Sequence, residues 1–438
     1  MVLKKTGLST VTSILFWSVI SAAFIGPGTV TTASKAGATY HTELLWALVF
    51  STLACIILQE AAARIPLGSG FNLGEAIAEK LGSGKNRWVK IAVAGSVIFG
   101  CAAYQAGNIL GAVSGVGLLF DIDPRLITLL IGLICSLVLW IGNIKYIANL
   151  LGLIVATMGI AFIAVALRTP LPFGETLQNA LIPSLPSGSG WLVIGLIGTT
   201  IVPYNLFLGS GISKDQDLRT MRIGLSLAIL IGGIISIAVL LAGTGIEGEF
   251  SFLNLSKAIG NSIGPWASVL FGIGLFAAGF TSAITAPLAS AITAKSVFGR
   301  NQDQWENQSR NFRLVWGGVL LTGIIVGVSG IKPIPAIILA QALNGLLLPI
   351  IAALLLYIVN DPSLMPKAYM NTTIGNVLML LVVGITLMLG LTNLLKAGYA
   401  AVNIPFPEGQ GMQLGLILAS VLITGFLGVR IRALRGQN

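Results

Sequence analysis

The chain has 438 residues, of which 55% are hydrophobic and only 9% charged, with a mean hydropathy of +0.92. Soluble domains carry about 25% charged residues, so this composition excludes a water-soluble globular protein and points to a membrane. A net charge of +10 would indicate a nucleic-acid partner in a soluble chain; here its distribution has a topological explanation.

Apolar runs of about 20 residues read as transmembrane helices. Twelve occur, at roughly 11–38, 43–65, 88–120, 125–143, 146–167, 190–212, 220–243, 266–297, 313–330, 334–359, 372–394 and 412–430. The expectation is an all-α polytopic membrane protein, a single membrane domain over 1–438 whose partner is the lipid bilayer. With the N-terminus in the cytoplasm and loops alternating, 19 of the 25 Lys and Arg fall inside, leaving Lys35, Arg125, Arg168, Lys257, Lys332 and Lys396 outside. That bias is the positive-inside pattern and puts both termini in the cytoplasm. The first run continues without a convincing Ala-x-Ala site, so it reads as a span rather than a cleaved signal. Cys55, Cys101 and Cys135 fall inside apolar runs without paired spacing and read as small buried hydrophobes.

The first span is interrupted near its middle by Phe24-Ile25-Gly26-Pro27-Gly28-Thr29. Proline has no N–H, and glycine loses the most backbone freedom in a helix. Freed backbone groups in hydrocarbon cost several kcal/mol unless protein, water or a ligand satisfies them. A break at that depth is therefore a candidate site, comprising Ala23, Gly26, Gly28 and Thr29. Lys35 lies about 9 Å farther along at helical rise, where it either lines a pathway or snorkels to the headgroups.

Glu60 and Arg64 form an i,i+4 pair where the second span ends. The third span carries Tyr104, Gln105 and Asn108 among small residues; bonding across helices and lining a pathway are both open to them. A second interruption, Gly198-Thr199-Thr200-Ile201-Val202-Pro203-Tyr204-Asn205, falls in the sixth span. The eighth span offers Thr281, Ser282 and Thr285, and the tenth offers Gln341 and Asn344 one turn apart.

The two interruptions occupy the first and sixth spans, corresponding members of two five-helix halves that run in opposite directions. Interrupted helices at matching positions of inverted halves point to the midplane site of a secondary transporter. The halves are 11–167 and 190–359, with two peripheral helices over 372–430. The site set is Ala23, Gly26, Gly28, Thr29, Thr199, Thr200, Val202, Tyr204, Asn205, Gln341 and Asn344, with Tyr104, Gln105, Asn108 and Lys35 along the pathway. No nucleophile–base pair or nucleotide-binding loop is visible, so neither an enzyme nor a cofactor is expected, and transport would be secondary or passive.

These stretches resemble the natural-resistance-associated macrophage protein (Nramp) family. The likeness rests on Phe24 to Thr29 followed by Ala36-Gly37-Ala38 and Leu44-Leu45-Trp46, and on Leu181 to Pro186 followed by Gly195 to Leu208. Leu270-Phe271-Gly272-Ile273 and Gln341 fit in order, so the resemblance spans roughly residues 10 to 370. It implies the leucine-transporter (LeuT) architecture of 5+5 inverted repeats with discontinuous helices 1 and 6, in a prokaryotic plasma membrane. It also implies Mn²⁺ or Fe²⁺ bound by an Asp-Pro-Gly-Asn break and a Met-Pro-His break. Here Gly26 and Thr29 replace the aspartate and asparagine, Val202 and Tyr204 replace the methionine and histidine, and Gln105 and Asn108 replace acidic residues of the proton path.

A dehydrated divalent ion is normally held by carboxylate, imidazole or thiolate groups. Proton-coupled Mn²⁺ or Fe²⁺ transport of the usual type is therefore expected to be absent. Three readings remain: a divalent cation carried with its water, Mg²⁺ above all; a small organic zwitterion or anion such as an amino acid; and a receptor-like relative that does not transport.

Overall fold

The computed structural model describes Trp17 and residues 25–81, 87–142, 145–214, 216–299, 303–306, 309–401, 404, 406–407 and 409–436. Ala23 and the rest of the first span before Ile25, Trp17 excepted, lie outside the described residues. Eleven helices among those described are long and apolar enough to cross a membrane, and they correspond to the second to twelfth expected spans.

In chain order the helices are α1 (Pro27–Tyr40), α2 (Leu45–Ser69), α3 (Leu73–Leu81), α4 (Arg87–Gly117), α5 (Pro124–Ile141) and α6 (Lys145–Arg168). The short α7 (Phe173–Leu181) precedes the two pieces of the sixth span, α8 (Gly190–Thr200) and α9 (Pro203–Ile212). Then come α10 (Leu218–Gly243), α11 (Phe252–Ile263), α12 (Pro265–Phe298), α13 (Arg310–Val328), α14 (Pro333–Ile358), α15 (Thr373–Ala401) and α16 (Gln410–Arg435). No strand occurs among the described residues.

Both interruptions follow from one local rule. A residue before proline is pushed out of the α region into extended backbone, whereas proline itself suits the first helical position. Gly26 is accordingly extended (φ −112°, ψ −174°) and α1 starts at Pro27. In the sixth span Ile201 closes the last bond of α8 to the Ile197 carbonyl, Val202 is extended (φ −88°, ψ 120°), and α9 starts at Pro203. Neither α1 nor α9 has a side-chain cap.

The helices are arranged by how much protein they bury. The sixth span is almost wholly enclosed, whereas α16 is largely lipid-facing. The most extensive helix pair is α4 with α12, followed by α8 with α14. That second pair meets at backbone distance, because a side chain on Gly198 would overlap the Gln341 carbonyl and the Gly345 amide of α14. Apolar burial against lipid yields little, so close packing of small residues is what joins such helices. Cys55, Cys101 and Cys135 are buried and unpaired.

Candidate functional site

Around the two interruptions, six helices bring polar groups together without a charge. Thr29 on α1 and Thr199 on α8 share a 2.8 Å hydrogen bond between hydroxyls, both fully buried. This contact joins the two half-helices directly. Beside it, α14 lays the Gln341 amide over Gly28, where any side chain would overlap Nε2. Gly28 is thus required by close approach, and Gln341 Oε1 is a buried acceptor with no partner in the structure.

The end of α8 leaves its last carbonyls without intrahelical donors. Tyr104 on α4 supplies one, its hydroxyl donating to the Gly198 carbonyl at 2.9 Å, beside the Thr199 side chain. The Tyr104 ring meets Tyr204 of α9 edge-on, with centroids 6.0 Å apart. On the other side, a methyl group placed on Gly26 would stand 3.3 Å from Ser282 Oγ of α12. Ser282 therefore belongs to the centre. Its place on the eighth span is visible in the sequence, but nothing along the chain aims it at Gly26.

Several expected site residues are engaged elsewhere. Thr200 turns its hydroxyl back to the Leu196 carbonyl of its own helix. Asn344 donates to the Gly100 and Ala340 carbonyls, bonding α14 to α4. Gln105 donates to Ala283 of α12 at 3.0 Å, leaving its Oε1 unpartnered. Asn108 is buried with no partner for Nδ2. Val202 is buried as the residue preceding α9, and Lys35 is half-buried on α1. Asn205 is also buried; its carbonyl accepts from Gln59 Nε2 at 2.9 Å, and both polar atoms of its side chain lack partners. Gln59 and Thr32, each buried with one unpartnered oxygen, are additions. A lone amide in the apolar run before Glu60 was the only signal for Gln59.

Charge gathers at the end of α2 instead. Glu60 pairs with Arg64 at 3.0 Å and with Arg222 of α10 at 2.8 Å. Arg64 also donates to the Tyr369 carbonyl and to Asn371, between α14 and α15. On the same side, Lys80 of α3 meets Asp361 at 2.6 Å. Burial alone pushes Asp361 up, but hydrogen bonds from Lys80 and Ser363 and the Lys80 charge outweigh it and hold the carboxyl below its ordinary range. Among the described residues, no three of His, Cys, Asp and Glu come together as a metal-binding group would require.

Eleven described spans, a sixth span broken at its centre and a helix that starts at Pro27 describe an all-helical polytopic membrane protein of the LeuT-like fold. The fold is shared with a crystal structure of a mutant of the Eremococcus coleocola manganese transporter, at TM-score 0.70 and 20% identity, covering 95% of this chain and 94% of that one. A nucleobase-cation-symport-1 family transporter in a closed conformation matches at TM-score 0.52 and 15% identity, covering 96% and 92%. Residues 18–396 match the family model "Natural resistance-associated macrophage protein-like", and the chain belongs to the Nramp family. Among curated relatives, the divalent metal cation transporter MntH of Acidiphilium cryptum is 24% identical over 410 residues, 89% of this chain and 91% of its own. MntH of Yersinia pestis is 24% identical over 390 residues, 84% and 91% respectively. The relatives are transporters, and a non-enzymatic membrane transporter is the class to which the chain belongs.

Proposed function

We propose that this transporter moves a divalent cation with much of its water, Mg²⁺ fitting best, by alternating access around the Thr29–Thr199 centre. The carrying observation is that the centre is built from neutral groups: two hydroxyls, the unpartnered Gln341 Oε1 and the buried, uncapped first turns of α1 and α9. Hydroxyl and amide oxygens bond to a hydration shell, but they leave a bare divalent ion poorly compensated in low dielectric. Mg²⁺ dehydrates reluctantly and usually keeps several waters. The relatives' names, divalent metal cation and manganese transporters, supply the cargo class. The replaced side chains argue against the usual Mn²⁺ chemistry. The positive-inside bias supports cytoplasmic termini, and the bacterial relatives support a plasma-membrane location.

One feature favours a second reading. Both α1 and α9 begin with proline and lack a side-chain cap. Their positive ends suit a carboxylate, as in a small organic zwitterion or anion.

Uptake into liposomes decides between the readings. The expected result is saturable Mg²⁺ uptake that Thr29→Val diminishes, with neither saturable Mn²⁺ uptake nor Mn²⁺-driven proton flux. Mn²⁺ uptake saturating in the micromolar range together with proton flux would sink the proposal. Amino-acid uptake without any cation uptake would favour the second reading. No flux of either kind, in preparations whose thermal stability responds to one of these ligands, would favour the receptor-like reading.

A further inference from the structure

Away from the centre, a partly open cavity of about 490 Å³ lies between the end of α6, the end of α10 and one face of α11. By alternation of the spans, the ends of α6 and α10 lie on the face of the bundle opposite the Glu60–Arg64–Arg222 cluster. The volume falls within the range of small-molecule sites, about 300–1,000 Å³. Helix α11 is amphipathic with two clean faces. Phe252, Leu255, Ser256 and Ile259 are buried at helical spacing, while Asn254, Lys257, Ala258 and Asn261 repeat that spacing and turn to the cavity.

The lining combines both signs of charge. Arg168 and Lys257 supply two cations and Glu247 one carboxylate, and none of the three joins an ion pair among the described residues. Arg168 is held in place by donating to the Ser262 carbonyl at 2.7 Å. Opposite charges share one cavity without neutralising each other, and the Asn254 and Asn261 amides complete the wall. Such a wall complements a molecule bearing both an anionic and a cationic group.

We propose that this cavity binds a small polar zwitterion of the α-amino-acid type, its carboxylate on Arg168 and Lys257 and its ammonium on Glu247. Arg168 belongs to the fifth span and Lys257 to the connection between the seventh and eighth. A ligand there ties the two inverted halves together on that face, and α11 is in turn fixed to α12 by the Ser268 hydroxyl donating to the Ser256 carbonyl at 2.8 Å. Ligand binding favours whichever transport state keeps the cavity closed around it, which makes the site regulatory. It is separate from the central site and does not rest on the cargo proposed above.

The test is equilibrium binding to the full-length protein in detergent. Three matched probes are used: L-glutamine, glutaramate without the ammonium, and the amine left when glutamine loses its carboxylate. Glutamine alone is expected to bind saturably. Charge-assisted hydrogen bonds are roughly twice as strong as neutral ones, so Lys257→Gln and Glu247→Gln should each weaken binding at least about tenfold, while Thr29→Val leaves it unchanged. Lys257 and Glu247 are both exposed, and thermal unfolding at the wild-type temperature checks that the variants fold. Absence of saturable glutamine binding overturns the proposal. So does binding that survives Lys257→Gln, or binding that is lost with Thr29→Val and therefore belongs to the centre.

Discussion

The centre of the bundle and the Glu60 end are assembled from opposite materials. At the centre, Thr29, Thr199, Tyr104, Gln341 and Ser282 meet as neutral hydroxyls and an amide. At the Glu60 end, Glu60, Arg64, Arg222, Lys80 and Asp361 form ion pairs that link α2, α3, α10 and the segment after α14. A buried charge is tolerated when it is paired and hydrogen-bonded, and it is costly when one partner is removed. The Glu60 end therefore holds elements together. The centre has no fixed counter-charge, and the proposal of a cargo that brings its own hydration shell rests on that difference.

That contrast can be broken most severely from the charged end. Arg64 is buried, so Glu60→Ala removes its counter-charge and should cost about 3 kcal/mol, seen as a marked drop in thermal unfolding temperature in detergent. A variant as stable as wild type would show that the Tyr369 carbonyl and Asn371 suffice for Arg64.

Giving the centre a charge is the converse operation. A side chain at Gly26 would stand only 3.3 Å from Ser282 Oγ, a contact that a small shift relieves. Gly26→Asp combined with Thr29→Asn should tighten Mn²⁺ binding about a hundredfold, roughly 2.8 kcal/mol, measured by calorimetric titration. Unchanged Mn²⁺ affinity would mean that more than the side chains at the first break was lost.

Acid provides a milder probe of the charged end. The Asp361 carboxyl is held below its ordinary range, so its contribution is present at neutral pH. It is lost as pH falls below about 4, where the unfolded carboxyl takes up its proton first. Asp361→Asn should cost about 1 kcal/mol at pH 7 and flatten the acid limb of the unfolding profile. An acid limb as steep as wild type would assign the sensitivity to another carboxylate. The smallest effect belongs to Arg222→Ala. Its side chain is half exposed, and the loss should be about 0.5 kcal/mol, with Glu60 and Arg64 still paired.

Much of the fold was legible because its signals are local. The interruptions at Gly26-Pro27 and Val202-Pro203 follow from the chemistry of proline, and α1 and α9 start at those prolines. Spans long enough to satisfy their own backbone in lipid stand out by composition alone. Less of the site was legible. Thr29, Thr199, Gly28 and Gln341 do come together, yet Asn344 and Thr200, equally polar and equally well placed along their helices, bond to backbone carbonyls instead. Periodicity locates a residue on a helix face but does not tell which neighbour that face meets.

The sequence by itself determined the membrane class, the two helix breaks and the absence of carboxylate, imidazole and thioether side chains from them, because each depends on residue type and spacing along the chain. Only the tertiary structure decided that Ser282 approaches Gly26, that Gln341 rests on Gly28, that Tyr104 closes the open end of α8, and that Arg168 and Lys257 share a cavity. Those pairs lie 89 to 313 positions apart, and the ones at the centre depend on the small residues that let α1, α8, α14, α4 and α12 pack at close range.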